Sequence, residues 1–229
     1  MSEYGQFCPV SKAAEVLGER WAILVVRELL AGSTRFTELR RGLAGCPPAT
    51  LSKRLKQLEA AGVVDRIAVG GGVEYRLTPG GQELFPIVQA LGEWGQRWAR
   101  SAYPDDELDP DLLLWDVRRY LDPAALGVDP CLVLVDVGLP GRRRKPYWLI
   151  VERGHVDLCD VDPRREVDVV VRAHVRTLTQ IWMGDLTFAA ALRGDLVSVT
   201  GRRAVTRRIP AWFGRHPVLA AVGPAHAGG

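Results

Sequence analysis

Over residues 8–62 the apolar positions recur at helical spacing. Val10, Ala14 and Leu17 form one stripe, closed by Gly18, and Trp21, Leu24, Val25, Glu28 and Leu29 give the next segment a largely apolar face up to Gly32. A third short helix is expected over residues 35–43. Pro48 then opens a fourth, because a first helical turn tolerates the missing N–H, and Gly62 marks its stop. Leu51, Leu55 and Leu58 mark the buried side of that fourth helix. At about 100° per residue Ala49, Lys53, Lys56 and Ala60 point the other way, with Ser52 and Gln57 on the flanks. The outward face is therefore small, polar and cationic. The apolar period next falls to two over residues 63–69 and 73–77, which flank three glycines and predict a hairpin.

Two short helices, the second with a basic outer face, followed at once by a hairpin predict a winged helix-turn-helix. Its second helix would enter a DNA major groove and reach phosphates on either side. The hairpin tip would follow the neighbouring minor groove, with Arg66 and Arg76 near phosphates. An ordinary amphipathic surface helix would show a similar pattern, so the face alone leaves both readings open.

Past the hairpin, Thr78-Pro79 opens another helix, and Leu84, Val88, Leu91, Trp94 or Gly95, and Trp98 fall on one a/d-like stripe. The stripe suits either a partner helix in a two-fold dimer or the domain's own core. Residues 101–110 are acidic and proline-bounded and read as a linker, and Asp109 or Asp111 can cap the helix that runs to residue 120. Residues 1–103 and 104–229 are thus expected to form two domains, the first mainly α with a β-hairpin wing, the second α+β. In the second, strand-like runs cover residues 131–137, 147–152, 155–159 and 167–173, the last expected to be buried on both faces. Helices over 175–183 and 187–193, a strand over 194–201 and a closing helix over 202–213 complete the order.

Charge sharpens the assignment. Residues 1–103 carry 13 Lys+Arg against 10 Asp+Glu, whereas residues 104–229 carry 17 of each, so the whole net charge of +3 lies in the proposed DNA-binding half. A hydrophobic content of 47% with 25% charged residues is that of a soluble globular chain. There is no apolar run of membrane length and no signal peptide at the start, so a cytoplasmic location without a membrane partner is expected. The four cysteines, Cys8, Cys46, Cys131 and Cys159, form no Cys-x-x-Cys pair, which argues against a zinc site or disulfide framework and suits a reducing compartment. Cys131 and Cys159 read as strand interior. Cys8, beside Pro9 at a helix start, is the candidate reactive thiol, since the helix dipole favours its anion; a small buried apolar residue is the bland alternative.

No nucleophile–base pair, phosphate loop, dinucleotide fingerprint or metal-binding motif is present, so no enzymatic activity, cofactor or metal is expected. His155 and His174 lie in or beside strands and His216 and His226 in a Gly/Ala/Pro-rich tail. The Arg142–Lys145 run reads as a solvated loop.

Cys8-Pro9, Gly18-Glu-Arg-Trp21, Arg27-Glu-Leu-Leu30, Gly32, Arg35-Phe36, Glu38-Leu39, Thr50-Leu51-Ser52, Arg54-Leu55, Leu58-Glu59, Gly62 and Tyr75-Arg-Leu-Thr-Pro79 resemble the HxlR-type bacterial transcriptional regulators over about residues 6–101. The resemblance implies a homodimeric winged helix that binds a palindromic operator in double-stranded DNA, most often as a repressor, with Thr50, Ser52, Lys53 and Arg54 at the duplex; Arg35 is a further candidate DNA contact. It also implies redox or electrophile sensing through a cysteine near the start, here Cys8. The second half resembles the sterol-carrier-protein-like fold through its element order and two Gly-Asp-Leu segments. That resemblance implies an apolar tunnel for a small hydrophobic effector; Trp148, Ile181, Trp182, Phe188, Leu192, Trp212 and Phe213 are the candidate lining, with plain core as the alternative reading of each. The competing function is a hydrophobic-molecule carrier that uses its winged helix for dimerisation.

Overall fold

The computed structural model describes residues 4–99 and 103–214. The chain divides into two compact units, Met1–Gly92 and Glu93–Gly229.

In the first unit α1 (Pro9–Leu17), α2 (Ala22–Leu30), α3 (Phe36–Gly42) and α4 (Pro48–Ala60) precede the hairpin β1 (Val64–Val69) and β2 (Gly72–Leu77). Pro47 caps α4 with extended backbone and Pro48 takes its first helical position. At the other end Gly62 turns left-handed at φ +70°, which releases the chain into β1. Leu51, Leu55 and Leu58 are fully buried against Val25, Val26, Leu39 and Leu43, and each such side chain contributes about 1.5–3 kcal/mol. The expected period of α4 is therefore the one that folds it. In contrast, α1 buries no residue, and Val10, expected on its inner stripe, is 75% exposed.

A buried carboxylate holds α2 to α3. Glu28 accepts from Arg27 Nη2 at 2.8 Å and from Ser33 Oγ at 3.2 Å, while Arg27 Nη2 also reaches the Gly42 carbonyl at 2.9 Å. Gly42 leaves room for this carboxylate, since a Cβ there would lie 1.8 Å from Glu28 Oε2. Gly42→Ala is expected to destabilise the first unit by about 1–3 kcal/mol, measured as a lower midpoint in chemical denaturation of the full chain.

The hairpin pairs in register from Val64 with Leu77 to Val69 with Gly72. Tyr75 N donates to Thr34 O at 2.8 Å, and Arg35 forms an isolated β-bridge with Glu74, so the segment before α3 is tied to the wing at that point. Thr78 caps α5 (Pro79–Gln82), accepting from Gly81 N, and its hydroxyl donates to Gly62 O at 2.7 Å. Then comes α6 (Phe85–Trp94), which passes into a π-helical turn at Gly95–Ala99. The expected single stripe is split here. Leu84 and Val88 pack on the core of the first unit, whereas Phe85, Ile87, Leu91 and Trp94 are exposed, as is Trp98 in the π turn.

The second unit holds α7 (Pro110–Arg119), β3 (Cys131–Leu139), β4 (Arg142–Glu152), β5 (His155–Cys159), β6 (Val169–His174), α8 (Val175–Trp182), α9 (Phe188–Arg193), β7 (Val197–Gly201), α10 (Arg203–Thr206) and α11 (Ile209–Trp212). Its sheet has the order β5-β4-β3-β6-β7, with β3 and β6 parallel and every other pair antiparallel. Helices cover one face: Val133, Val135, Tyr147, Leu149, Val169 and Val171 share a core with Leu114, Leu178, Phe188 and Phe213.

Several sequence expectations change here. Arg142–Lys145 is the start of β4 rather than a loop; Arg144 pairs with Asp136 at 2.9 Å and Lys145 with Asp111 at 2.6 Å. β6 alternates, with Arg172 exposed and bound to Asp136 at 3.2 Å, while Val169, Val171 and Ala173 are buried in the core shared with the helices. The closing helix is two short ones. Asp109 is the residue that caps α7, accepting from Asp111 N at 2.8 Å. The linker region is anchored within its unit, with Arg176 bound to the Tyr103 carbonyl and to Asp105, and Tyr103 OH donating to Asp185 at 2.7 Å. His174 caps α8 through Nδ1, which gives that histidine a structural role. His216 and His226 lie outside the described residues.

Candidate nucleic-acid interface

With the leucines of α4 turned inward, Ala49, Ser52, Lys53, Lys56, Gln57 and Ala60 line one open depression on its outer side. Lys53 and Lys56 are exposed, while Thr50 and Ser52 are half-buried at the N-terminal end. Small residues there let the helix approach a surface closely, and the lysines flank the line of approach.

Arg35, Arg66 and Arg76 are exposed on the segment before α3 and on the wing. Glu74, which the sequence reading passed over, lies between two of them. Arg76 Nη2 is 2.8 Å from its carboxylate and Arg35 Nε 3.9 Å away, so this single acid holds both guanidinium groups in place on the wing. Both guanidinium groups are more than half exposed, whereas the Glu74 side chain is 15% exposed. At the start of α3, Glu38 accepts from the Thr34 and Arg35 backbone N–H groups at 2.9 and 3.0 Å, which fixes where Arg35 leaves the fold.

Arg54 is the correction. It was placed among the duplex contacts, but only 8% of it is exposed. Nε donates to the Arg20 carbonyl at 2.8 Å, Nη2 meets Glu19 Oε2 at 2.7 Å, and Nη1 bonds Gln57 Oε1. Its place one turn before the buried Leu58, on the flank of the leucine stripe, was the available signal.

Cys8 occupies the N-cap of α1, half-buried. The thiol makes no full capping hydrogen bond, yet the N–H groups of Ser11, then Val10, favour its anion and lower its pKa below the ordinary value. Burial instead raises Cys46, and raises Cys131 to about 11.

In the second unit Ile181, Trp182, Phe188, Trp212 and Phe213 lie together in the core under the helices, with Leu192 half-buried beside them. Phe188 and Phe213 meet at 5.8 Å, and the indoles of Trp182 and Trp212 donate to Asp116 Oδ2 and the Asp122 carbonyl, both at 2.9 Å. Trp148 does not join them. It alternates with Tyr147 and Leu149, which face the helices, and so lies on the opposite side of the sheet, in register with Leu134 and Cys159.

The profile of the HxlR-like helix-turn-helix matches residues 16–103. An uncharacterized HTH-type transcriptional regulator, sll1512 of Synechocystis, is 38% identical over 99 residues, which cover 42% of this chain and 73% of the relative. YvaP of Bacillus subtilis, described in the same terms, is 38% identical over 104 residues, or 44% of this chain and 96% of the relative. Among solved structures, the reduced form of the transcriptional regulator YodB from B. subtilis is 29% identical, with a TM-score of 0.37 over 42% of this chain and 97% of that one. The family match covers the helices and hairpin of the first unit from Val16 onward. The chain belongs to the HxlR-like helix-turn-helix family.

Proposed function

We propose that this protein is a sequence-specific DNA-binding transcriptional regulator, a homodimeric repressor in which α4 enters the major groove of a palindromic operator. The observation that carries this reading is the outer face of α4, where Lys53 and Lys56 stand exposed beside Ala49, Ser52 and Gln57 while every leucine of the helix is buried. Thr50 and Ser52 read base edges; Lys53, Lys56, Arg35, Arg66 and Arg76 take phosphates. Phe85, Ile87 and Leu91 on α6 supply the apolar surface by which two copies pair, so that two α4 helices meet two half-sites. Incubating the full chain with a library of genomic fragments and sequencing the bound fraction tests the reading. Enrichment of inverted repeats upstream of genes is expected, and a bound fraction identical to the input would refute it.

Two inputs modulate binding in this account. The first is Cys8, whose lowered pKa makes it the preferred nucleophile of the chain. Because the thiolate is the reactive form, a lowered pKa moves the onset of alkylation to lower pH. Peptide mapping after iodoacetamide treatment between about pH 6 and 9 is expected to show Cys8 labelled first, with Cys46 and Cys131 protected by burial; simultaneous labelling of Cys8 and Cys131 would contradict it. The second input is a small apolar effector held by the second unit, which carries the finer fold assignment, sterol-carrier-like. Its support is the order of one helix, three meander strands, a parallel fourth strand, two helices and an edge strand, with Phe188, Leu192 and Phe213 between sheet and helices.

A further inference from the structure

We propose that Arg54 is a positioning residue for α4: it fixes the recognition helix against the α1–α2 turn and thereby sets DNA affinity without touching the duplex. The proposal rests on the DNA-binding reading above.

Apolar packing holds an amphipathic helix to a core but is non-directional, so the leucine stripe of α4 alone resists small rotations and slides weakly. Groove recognition needs tighter placement, within about 0.5 Å. Arg54 supplies directional bonds. Its guanidinium reaches three acceptors on two elements: the Arg20 carbonyl, the Glu19 carboxylate and, on α4 itself, Gln57. A planar fork with donors in fixed directions defines an orientation that a single ammonium could not.

The turn it grips is itself unusual. Trp21, the N-cap of α2, has φ +79°, a left-handed conformation that a bulky aromatic residue rarely adopts, and the Arg20 guanidinium lies 5.5 Å over its ring. Such a conformation persists only where the surroundings over-determine it. The Arg54 bond to the Arg20 carbonyl is one of those surroundings. The same bond therefore secures both the turn and the helix.

The account makes an inverted electrostatic prediction. Removing an acid from a DNA-binding domain ordinarily strengthens DNA binding, by reducing repulsion with phosphates. If Glu19 serves to hold Arg54, Glu19→Gln weakens binding instead. The test uses the full chain and a duplex that the unmodified protein enriches from a random-sequence library, titrated by fluorescence anisotropy from about 50 to 300 mM salt. Arg54→Gln and Glu19→Gln are each expected to lower affinity roughly tenfold while leaving the slope of log K against log salt within about half a unit of the original, since no phosphate contact is lost. Amide hydrogen exchange across α4 should quicken in both variants in the absence of DNA. A slope shallower by about one unit in Arg54→Gln would identify Arg54 as a phosphate contact and overturn the proposal, as would unchanged or tighter binding by Glu19→Gln. Should Arg54→Gln fail to fold, Glu19→Gln decides alone, because the Glu19 side chain is 31% exposed. Failure of the DNA-binding reading looks different: the unmodified protein would then enrich no duplex.

Discussion

Replacing Lys53 and Lys56 together by alanine is expected to weaken operator binding roughly 30-fold at about 0.15 M salt and to flatten its salt dependence by about two units. The figure follows from counterion release. Each phosphate neutralised by a lysine contributes a slope of about 0.9, which at about 0.15 M corresponds to roughly fivefold per contact. The effect should be independent of DNA sequence, because an ammonium group at a phosphate positions the helix and reads no base. Thr50→Ala or Ser52→Ala should behave in the opposite manner, changing the enriched sequence and sparing the slope. Stability is expected to stay within about 0.5 kcal/mol in the lysine variants, because both side chains are exposed and the core leucines of α4 are untouched. Anisotropy titrations at several salt concentrations check the first statement and thermal melts the second. A double variant with unchanged slope would move the interface elsewhere.

A comparably large loss is expected from Ile87→Glu combined with Leu91→Glu. Both side chains are about half exposed, at 49% and 50%, one helical turn apart on the outer side of α6, with Phe85 and Trp94 also exposed on that helix. These apolar groups on consecutive turns are the surface by which two copies pair in the proposed dimer. Glutamates there place like charges against one another across a two-fold axis. Sedimentation of the variant at micromolar concentration should show a monomer where the unmodified chain sediments as a dimer. Affinity for a two-half-site operator should fall by about 10²-fold or more, since the second half-site is no longer bound from an effective concentration set by the first. An unmodified chain that sediments as a monomer would remove the basis of this prediction.

The winged helix could be read from the sequence because its signals are local. Gly62 and Pro48 fix the ends of α4, and the leucine period fixes its inner face, so the outward set from Ala49 to Ala60 follows from geometry alone. Arg54 was misplaced for a related reason. Its angular position on the flank of the stripe is compatible with either side, and what draws it inward is Glu19 and the Arg20 carbonyl, 34 residues upstream of it in the case of Arg20. Long-range pairing of that kind leaves no periodic trace. Glu28 illustrates the same limit: it fell on the apolar face by spacing, yet its hydrogen-bond donors come from Arg27 and Ser33 and the space opposite it from Gly42. The stripe after Thr78 was visible but not its division, because Leu84 and Val88 against Ile87 and Leu91 differ by less than one turn and only the packed core shows which set it takes. In the second unit, strand order and the parallel β3/β6 pair depend on a crossover that no local pattern specifies. Trp148 was grouped with residues across the sheet because composition identifies an apolar aromatic but not the face it occupies.

Lysine footprinting tests the central claim most directly, because the chain has just four lysines, Lys12, Lys53, Lys56 and Lys145. Two lie on the outer face of α4; Lys12 is paired with Glu15 on α1, and Lys145 with Asp111 in the second unit. The full chain is acetylated briefly with and without an enriched duplex, and the modification at each lysine is read by mass spectrometry. The account predicts that the duplex suppresses labelling of Lys53 and Lys56 strongly while Lys145 is labelled as before. Equal labelling of Lys53 and Lys56 in free and DNA-bound protein would contradict it.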